Sequence, residues 1–205
     1  MRNFICISGK AQNGKDTSAL IMKEQLAAAG YTALIIHQAD LLKFICQKFY
    51  DWDGKKDERG RTLLQYVGTQ VVRQKDPDFW VRFIEQVTGL FDGSWDYIII
   101  PDTRFPNEIE KLRTPTSKVV HVRVVRDGFV SPLTQEQQQH ESEIALDDYP
   151  CDYILHNDGT QEDLSNNIAL LTDDIIAGGT TNNAAYQSKS QERRIQLCKR
   201  KNTQK

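Results

Sequence analysis

Apolar positions along the chain gather into five short runs. Phe4–Ile7, Thr32–His37, Tyr97–Ile100, Val119–Val125 and Cys151–Leu155 are β-branched or apolar segments of strand length. Between them the spacing turns helical. One helix opens near Thr17 and closes at Gly30, and others are expected over Ala39–Tyr50, Arg61–Arg73 and Gln161–Ile176. A further helix starts at Asp76-Pro77, an acidic cap followed by proline at the first turn, and Phe83, Ile84, Val87 and Phe91 should face the core. Strand, helix and strand at this spacing make βαβ units, so the class expected is α/β with a parallel sheet.

Two segments break the pattern. Residues 126–150 are polar and lack periodicity. In a compact domain such a stretch is a functional lid or is disordered, and its place between two strands whose carboxyl ends face one site favours the lid. From Gly178 onward the chain is polar, so residues 1–177 are read as one domain and 178–205 as a disordered tail. In Arg61–Arg73, Leu63, Leu64, Val67 and Val71 form the core stripe, while Arg61, Gln65, Gly68 and Thr69 share the opposite side. Glycine weakens a helix by about 1 kcal/mol, so Gly68 suits either a ligand lying close to the backbone or a tolerated gap on a solvated face.

The stretch Ser8-Gly9-Lys10-Ala11-Gln12-Asn13-Gly14-Lys15-Asp16-Thr17 lies between the first strand and the first helix. Gly9, Gly14 and Lys15 fit the phosphate-binding G-x-x-x-x-G-K loop, whose backbone N–H groups wrap polyphosphate oxygens at a helix N-terminus. Where that motif has Ser or Thr after the lysine, this chain has Asp16, with Thr17 one place on. At the carboxyl end of the third strand, Asp102 takes the place of a Mg²⁺-organising carboxylate. It could also cap the helix that follows Phe105. Arg104 should point into the same crevice. His121 and Arg123 share one face of the fourth strand, where a hydrogen-bonded structural histidine is expected.

Composition narrows the class. Of 205 residues, 39% are hydrophobic and 26% charged, as in ordinary globular proteins. The net charge of −2 divides into an acidic body and a tail whose last twenty residues carry seven basic groups and one acid. Such a body does not suggest a nucleic-acid surface. The four cysteines are scattered, which argues against zinc or a disulfide framework and fits a cytoplasmic protein. No apolar run approaches a membrane span.

Several stretches occur together in order: Gly-Lys-Asp-Thr at 14–17, Leu64–Thr69, Asp76–Val81, Asp102–Glu108, His140–Glu143 and Asn157–Thr160. With them the chain resembles the deoxynucleoside monophosphate kinases of tailed bacteriophages over about Asn3 to Ile176. Asp127-Gly128 departs from the Pro-Gly more usual in that family. The resemblance implies a three-layer P-loop kinase fold, with a five-stranded mainly parallel sheet, helices on both faces and a lid insertion. It implies transfer of the ATP γ-phosphoryl to a deoxynucleoside monophosphate, with ATP and Mg²⁺ as cofactors, no nucleic acid required, and a host cytoplasm as the setting. A homodimer is left open. The catalytic residues implied are Lys15, Arg104 and Arg126. Gly9, Asn13, Gly14, Lys15, Asp16, Thr17, Asn157 and Gly159 would bind the ATP, and Thr17 and Asp102 the metal. Asp40, Lys43, Arg61, Gln65, Thr69, Trp80 and Arg104 would bind the acceptor. The rival readings are a sister small-molecule kinase, acting on dephospho-coenzyme A or phosphomevalonate, and an NTP-driven nucleic-acid protein.

Overall fold

The computed structural model describes residues 1–178 and 195–197. Five parallel strands, β1 (Arg2–Ser8), β2 (Ala33–Ile35), β3 (Tyr97–Ile100), β4 (Ser117–Val125) and β5 (Tyr153–His156), form the sheet. A sixth, β6 (Ile195–Leu197), pairs antiparallel with β5, giving the order β2-β3-β1-β4-β5-β6. The sequence pattern did not suggest this edge strand. The remainder of the tail expected to be disordered lies outside the described residues.

Alternation along β1 explains the layers. Ile5 and Ile7 face a core with Ala19, Met22 and Leu26 of α1 (Lys15–Ala28) and Leu164, Ile168 and Leu171 of α8 (Gln161–Ile176). Phe4 and Cys6 face the opposite core, with Val81 and Ile84 of α4 (Phe79–Leu90) and Ile109 of α5 (Pro106–Glu110). Strands buried on both faces read as continuous apolar runs, which is why they were legible. α2 (Gln38–Phe49) and α3 (Glu58–Gln65) complete that second layer, next to the carboxyl ends of the strands. Among the described residues, no helix is long and apolar enough to cross a membrane.

Several local expectations shift. α3 begins at Glu58 rather than Arg61, because the Asp57 carboxylate accepts the Gly60 N–H at 2.8 Å and starts the helix inside the charged loop. From Tyr66 to Arg73 it continues as a π-helix, with Gln74 N–H bonded to the Thr69 carbonyl five residues back. The wider turn moves the buried side: Thr69 and Arg73 are buried along with Val67, while Val71 is half-buried. α4 starts at Phe79, since Asp78 is held by Asn107 and Lys111 and Asp76 pairs with Arg82. Its buried face is Trp80, Val81, Ile84 and Thr88, and Phe91 is exposed. Residues 126–150 are not structureless: they contain α6 (Gln135–Gln139) and α7 (Glu141–Ile144).

Candidate phosphate-transfer site

The phosphate loop is shaped by what its glycines must avoid. Gly9 has φ +142°, and a Cβ there would stand 2.3 Å from the Val124 carbonyl oxygen of β4. Gly14, at φ +97°, opens α1, and a Cβ on it would strike the Asn157 carboxamide at 2.4 Å. Asn157 in turn donates to the Asn13 carbonyl at 2.9 Å, and Asn13 to the Val124 carbonyl at 3.3 Å. Asn157 therefore supports the loop from behind rather than lining the cleft. Gly159 makes room for the Asp163 carboxylate, which takes the Thr160 N–H at the start of α8.

Lys15 is buried with its ammonium turned back on the loop, donating to the carbonyls of Gly9 and Lys10 at 2.8 Å each. Burial, followed by the Arg104 charge, lowers its pKa to about 7. Residues 126–150 pack against the loop. Glu143 accepts the Ala11 N–H at 3.2 Å and pairs with Arg104 at 2.6 Å. Lys10 binds the Asp147 carboxylate and the Glu143 carbonyl, both at 2.6 Å. Arg123, on the sheet face shared with His121, donates to the lid carbonyls of Leu146, Asp147 and Tyr149.

Beyond the loop opens a cleft of about 530 Å³, in the size range of small-ligand sites. It is lined by Asp16, His37, Gln38 and Lys43, by Arg61, Gln65, Thr69, Arg73 and Trp80, and by Asp102, Arg104 and Glu108, which follow β3. His37 bonds Asp16 at 2.9 Å, which lowers the carboxyl pKa and raises that of the imidazole. Asp102 caps α2, accepting the N–H groups of Gln38 and Ala39 at 3.0 and 2.8 Å. The helix after Phe105 is capped instead by Glu108, which takes the N–H of Arg104 and of Phe105. Burial raises the Asp102 carboxyl pKa. Gly68 is buried, with its carbonyl on the Trp80 indole N–H at 3.0 Å. A Cβ there would meet Leu42 of α2 at 3.1 Å, so the glycine lets α2 pack close, and it also lines the cleft.

Thus Lys15, Asp16, Lys43, Arg61, Gln65, Thr69, Trp80, Asp102 and Arg104 share one cleft. Eight expected site residues stand outside its lining: Gly9, Asn13 and Gly14 of the loop itself, Asn157 and Gly159 behind it, and Thr17, Asp40 and Arg126. Thr17 is exposed, since one step along a helix turns the side chain by about 100° from the cleft-facing Asp16. Asp40 is exposed and pairs with Lys43 at 2.9 Å. Arg126 is exposed with its guanidinium over the Phe129 ring. His37, Gln38, Arg73, Glu108 and Glu143 were not assigned site roles from sequence. The strand-end rule that picked out Asp102 would also have found His37 and Gln38, which follow β2. Arg73 and Glu108 meet at 2.5 Å across 35 residues and carry no local signal.

The fold and site define an α/β protein of the phosphate-loop class. A family model described as deoxynucleotide monophosphate kinase matches residues 36–168, more than half of the chain. The chain belongs to that family. The deoxynucleotide monophosphate kinase of Enterobacteria phage T4 is 32% identical over 110 residues, 53% of this chain and 43% of that protein. Its counterpart in Escherichia phage RB69 is 33% identical over 110 residues, 53% and 42% of the two chains. The matched region therefore spans less than half the length of these relatives. Among solved structures, the Mycobacterium tuberculosis APS kinase CysC in complex with AMPPNP and APS aligns with a TM-score of 0.47 at 10% identity, covering 86% of this chain and 96% of that one.

Proposed function

We propose that this protein transfers the γ-phosphoryl group of ATP to a deoxynucleoside monophosphate. An oxygen of the acceptor phosphate bonds to the γ-phosphorus as the bond to the β,γ-bridging oxygen breaks, yielding a deoxynucleoside diphosphate and ADP. The observation that carries this reading is the single cleft joining the Lys15 loop, through Asp102 and Arg104, to Arg61, Gln65 and Thr69. Phosphoryl transfer is mostly positioning and charge neutralisation, and family membership supplies the acceptor class.

The chain's own groups would act as follows. Lys15 leaves the Gly9 and Lys10 carbonyls for the β- and γ-phosphate oxygens. Arg104 leaves Glu143 for the group in flight, where its fork suits developing charge. Arg61 and Lys43 hold the acceptor phosphate, while Trp80 and Leu64 wall the nucleoside. The lid excludes water, so that ATP is not hydrolysed instead. Asp16 and Asp102 are oxygen donors of the kind a hard cation takes, so the cleft suits Mg²⁺. That ion, when bound, neutralises charge on the β- and γ-phosphates. Nothing in the reaction requires nucleic acid, and a cytoplasm, a host's if the gene is viral like its relatives', is the setting.

A coupled ADP-release assay tests the reading. Its acceptors are the four deoxynucleoside monophosphates, their ribo counterparts, dephospho-coenzyme A, phosphomevalonate and single-stranded DNA. Deoxynucleotides should stimulate release, with ribonucleotides much poorer. Stimulation by DNA alone, or by only one of the other small acceptors, would replace it with a rival.

A further inference from the structure

Gln38 is the first residue of α2, three positions after the end of β2, and its backbone N–H is held by Asp102 at 3.0 Å. It lines the cleft, yet the residue is only 5% exposed. Neither Oε1 nor Nε2 has a hydrogen-bond partner. Glutamine is mostly found exposed, and a buried carboxamide without partners is rare because its lost hydration is not replaced. Most polar neighbours on the cleft are already engaged. The Trp80 indole N–H binds the Gly68 carbonyl, Arg73 binds Glu108 and the Pro77 carbonyl through its terminal nitrogens, with only its Nε left without a partner, and Asp102 takes two N–H groups of α2. A leucine would fill the same wall with no unsatisfied group. The amide has a use only if its partner arrives with a ligand.

Resting on the deoxynucleotide reading above, we propose that Gln38 reads the hydrogen-bonding edge of the acceptor's base. Rotation about the side-chain torsions turns the amide into the cleft, and it breaks no hydrogen bond in leaving the wall. Nε2 then donates to a ring nitrogen or carbonyl of the base, and Oε1 accepts from the adjacent N–H. A half-turn of the carboxamide exchanges its donor and acceptor. One glutamine can therefore serve the lactam edges of thymine and guanine and the amino edges of adenine and cytosine. It selects for a base with a pairing edge rather than for one base.

Two variants, Gln38→Leu and Gln38→Glu, test this against the wild type. The readouts are KM for each acceptor and for ATP, the unfolding midpoint without ligand, and the midpoint shift caused by a deoxynucleotide alone. Gln38→Leu should unfold no earlier than the wild type and keep its KM for ATP. Its KM for every deoxynucleotide should rise by about tenfold or more, because the base edge is left unpaired. The deoxynucleotide-induced midpoint shift should shrink with it. An ionised Gln38→Glu side chain only accepts, so it should favour guanine, with two adjacent N–H donors, over thymine, with one between two carbonyls. The ratio of kcat/KM for dGMP to that for dTMP should rise by about tenfold. If Gln38→Leu does not fold, this ratio decides alone. Unchanged acceptor KM in Gln38→Leu, equal loss toward ATP and acceptor, or an unchanged dGMP-to-dTMP ratio would overturn the proposal. A wild type that turns over no deoxynucleotide would overturn the functional reading itself, and this inference with it.

Discussion

The Glu143 carboxylate lies 2.6 Å from the Arg104 guanidinium and also accepts the Ala11 N–H of the phosphate loop. A lid carboxylate thus sits where the loop and Arg104 would receive phosphate oxygens. The same donors that suit an anionic phosphate are satisfied by an anionic side chain until nucleotide displaces it. Glu143→Gln keeps the shape and removes the competing charge. Calorimetry should show ATP binding severalfold more tightly, on the order of 1 kcal/mol for a partly buried pair. Weaker binding would mean that Glu143 helps to hold the nucleotide.

Lys15 is the second test. Its ammonium contacts only two loop carbonyls, so Lys15→Ala should fold normally by circular dichroism. Turnover should fall by about a hundredfold or more, the loss of a charge contact made in the transition state. With its pKa lowered to about 7, much of Lys15 is neutral in the free protein at pH 8. Bound phosphate raises that pKa again, so ATP binding should take up a proton at pH 8. Calorimetry in buffers of different ionisation enthalpy would show it. The Lys15→Ala variant should lose that uptake.

Arg73 and Glu108 form a buried ion pair at 2.5 Å, with Arg73 also stacked over Phe105. Glu108→Ala leaves an unpaired guanidinium and two uncapped N–H groups, and should destabilise the fold by about 3–5 kcal/mol. Arg73→Met combined with Glu108→Gln removes the charge and keeps a capping oxygen. Urea unfolding should find this double variant more stable than Glu108→Ala; the reverse order would show that the pair is not what the cost comes from.

How much of this was legible depended on the range of each interaction. The strands were readable because both faces are buried, so Ile98, Ile99 and Ile100 form one unbroken apolar run. The phosphate loop was readable because its glycines answer local backbone demands. The π-helix was not, since the Trp80 bond to the Gly68 carbonyl and the Leu42 contact beside that glycine come from other elements of the chain. Nor were the two short polar helices within residues 126–150, which dock through Gln137 on α3 and Glu143 on the loop, contacts 75 to 132 residues apart in the chain.

His121 gives a pH test. It is fully buried, donates from Nδ1 to the Pro150 carbonyl and accepts the Ser8 hydroxyl at Nε2, pinning the lid's base to the end of β1. Burial lowers its pKa from 6.5 to about 4. The unfolded chain therefore binds the proton more readily, and stability falls as pH drops from about 6.5 to about 4, by at most about 3 kcal/mol. His121→Gln should unfold with a shallower pH dependence in that window than the wild type. Parallel curves would mean that His121 does not titrate as its surroundings dictate.

On the proposed reading, the γ-phosphoryl group moves to a deoxynucleotide within the cleft that joins Lys15 to Arg61. ATP labelled at its γ-phosphoryl, incubated with Mg²⁺, the protein and one deoxynucleoside monophosphate at a time, follows that group directly. The label should appear in the deoxynucleoside diphosphate, with little released as inorganic phosphate while the lid closes over both ligands. Label that stays in ATP, or appears as inorganic phosphate regardless of the acceptor, would contradict the account.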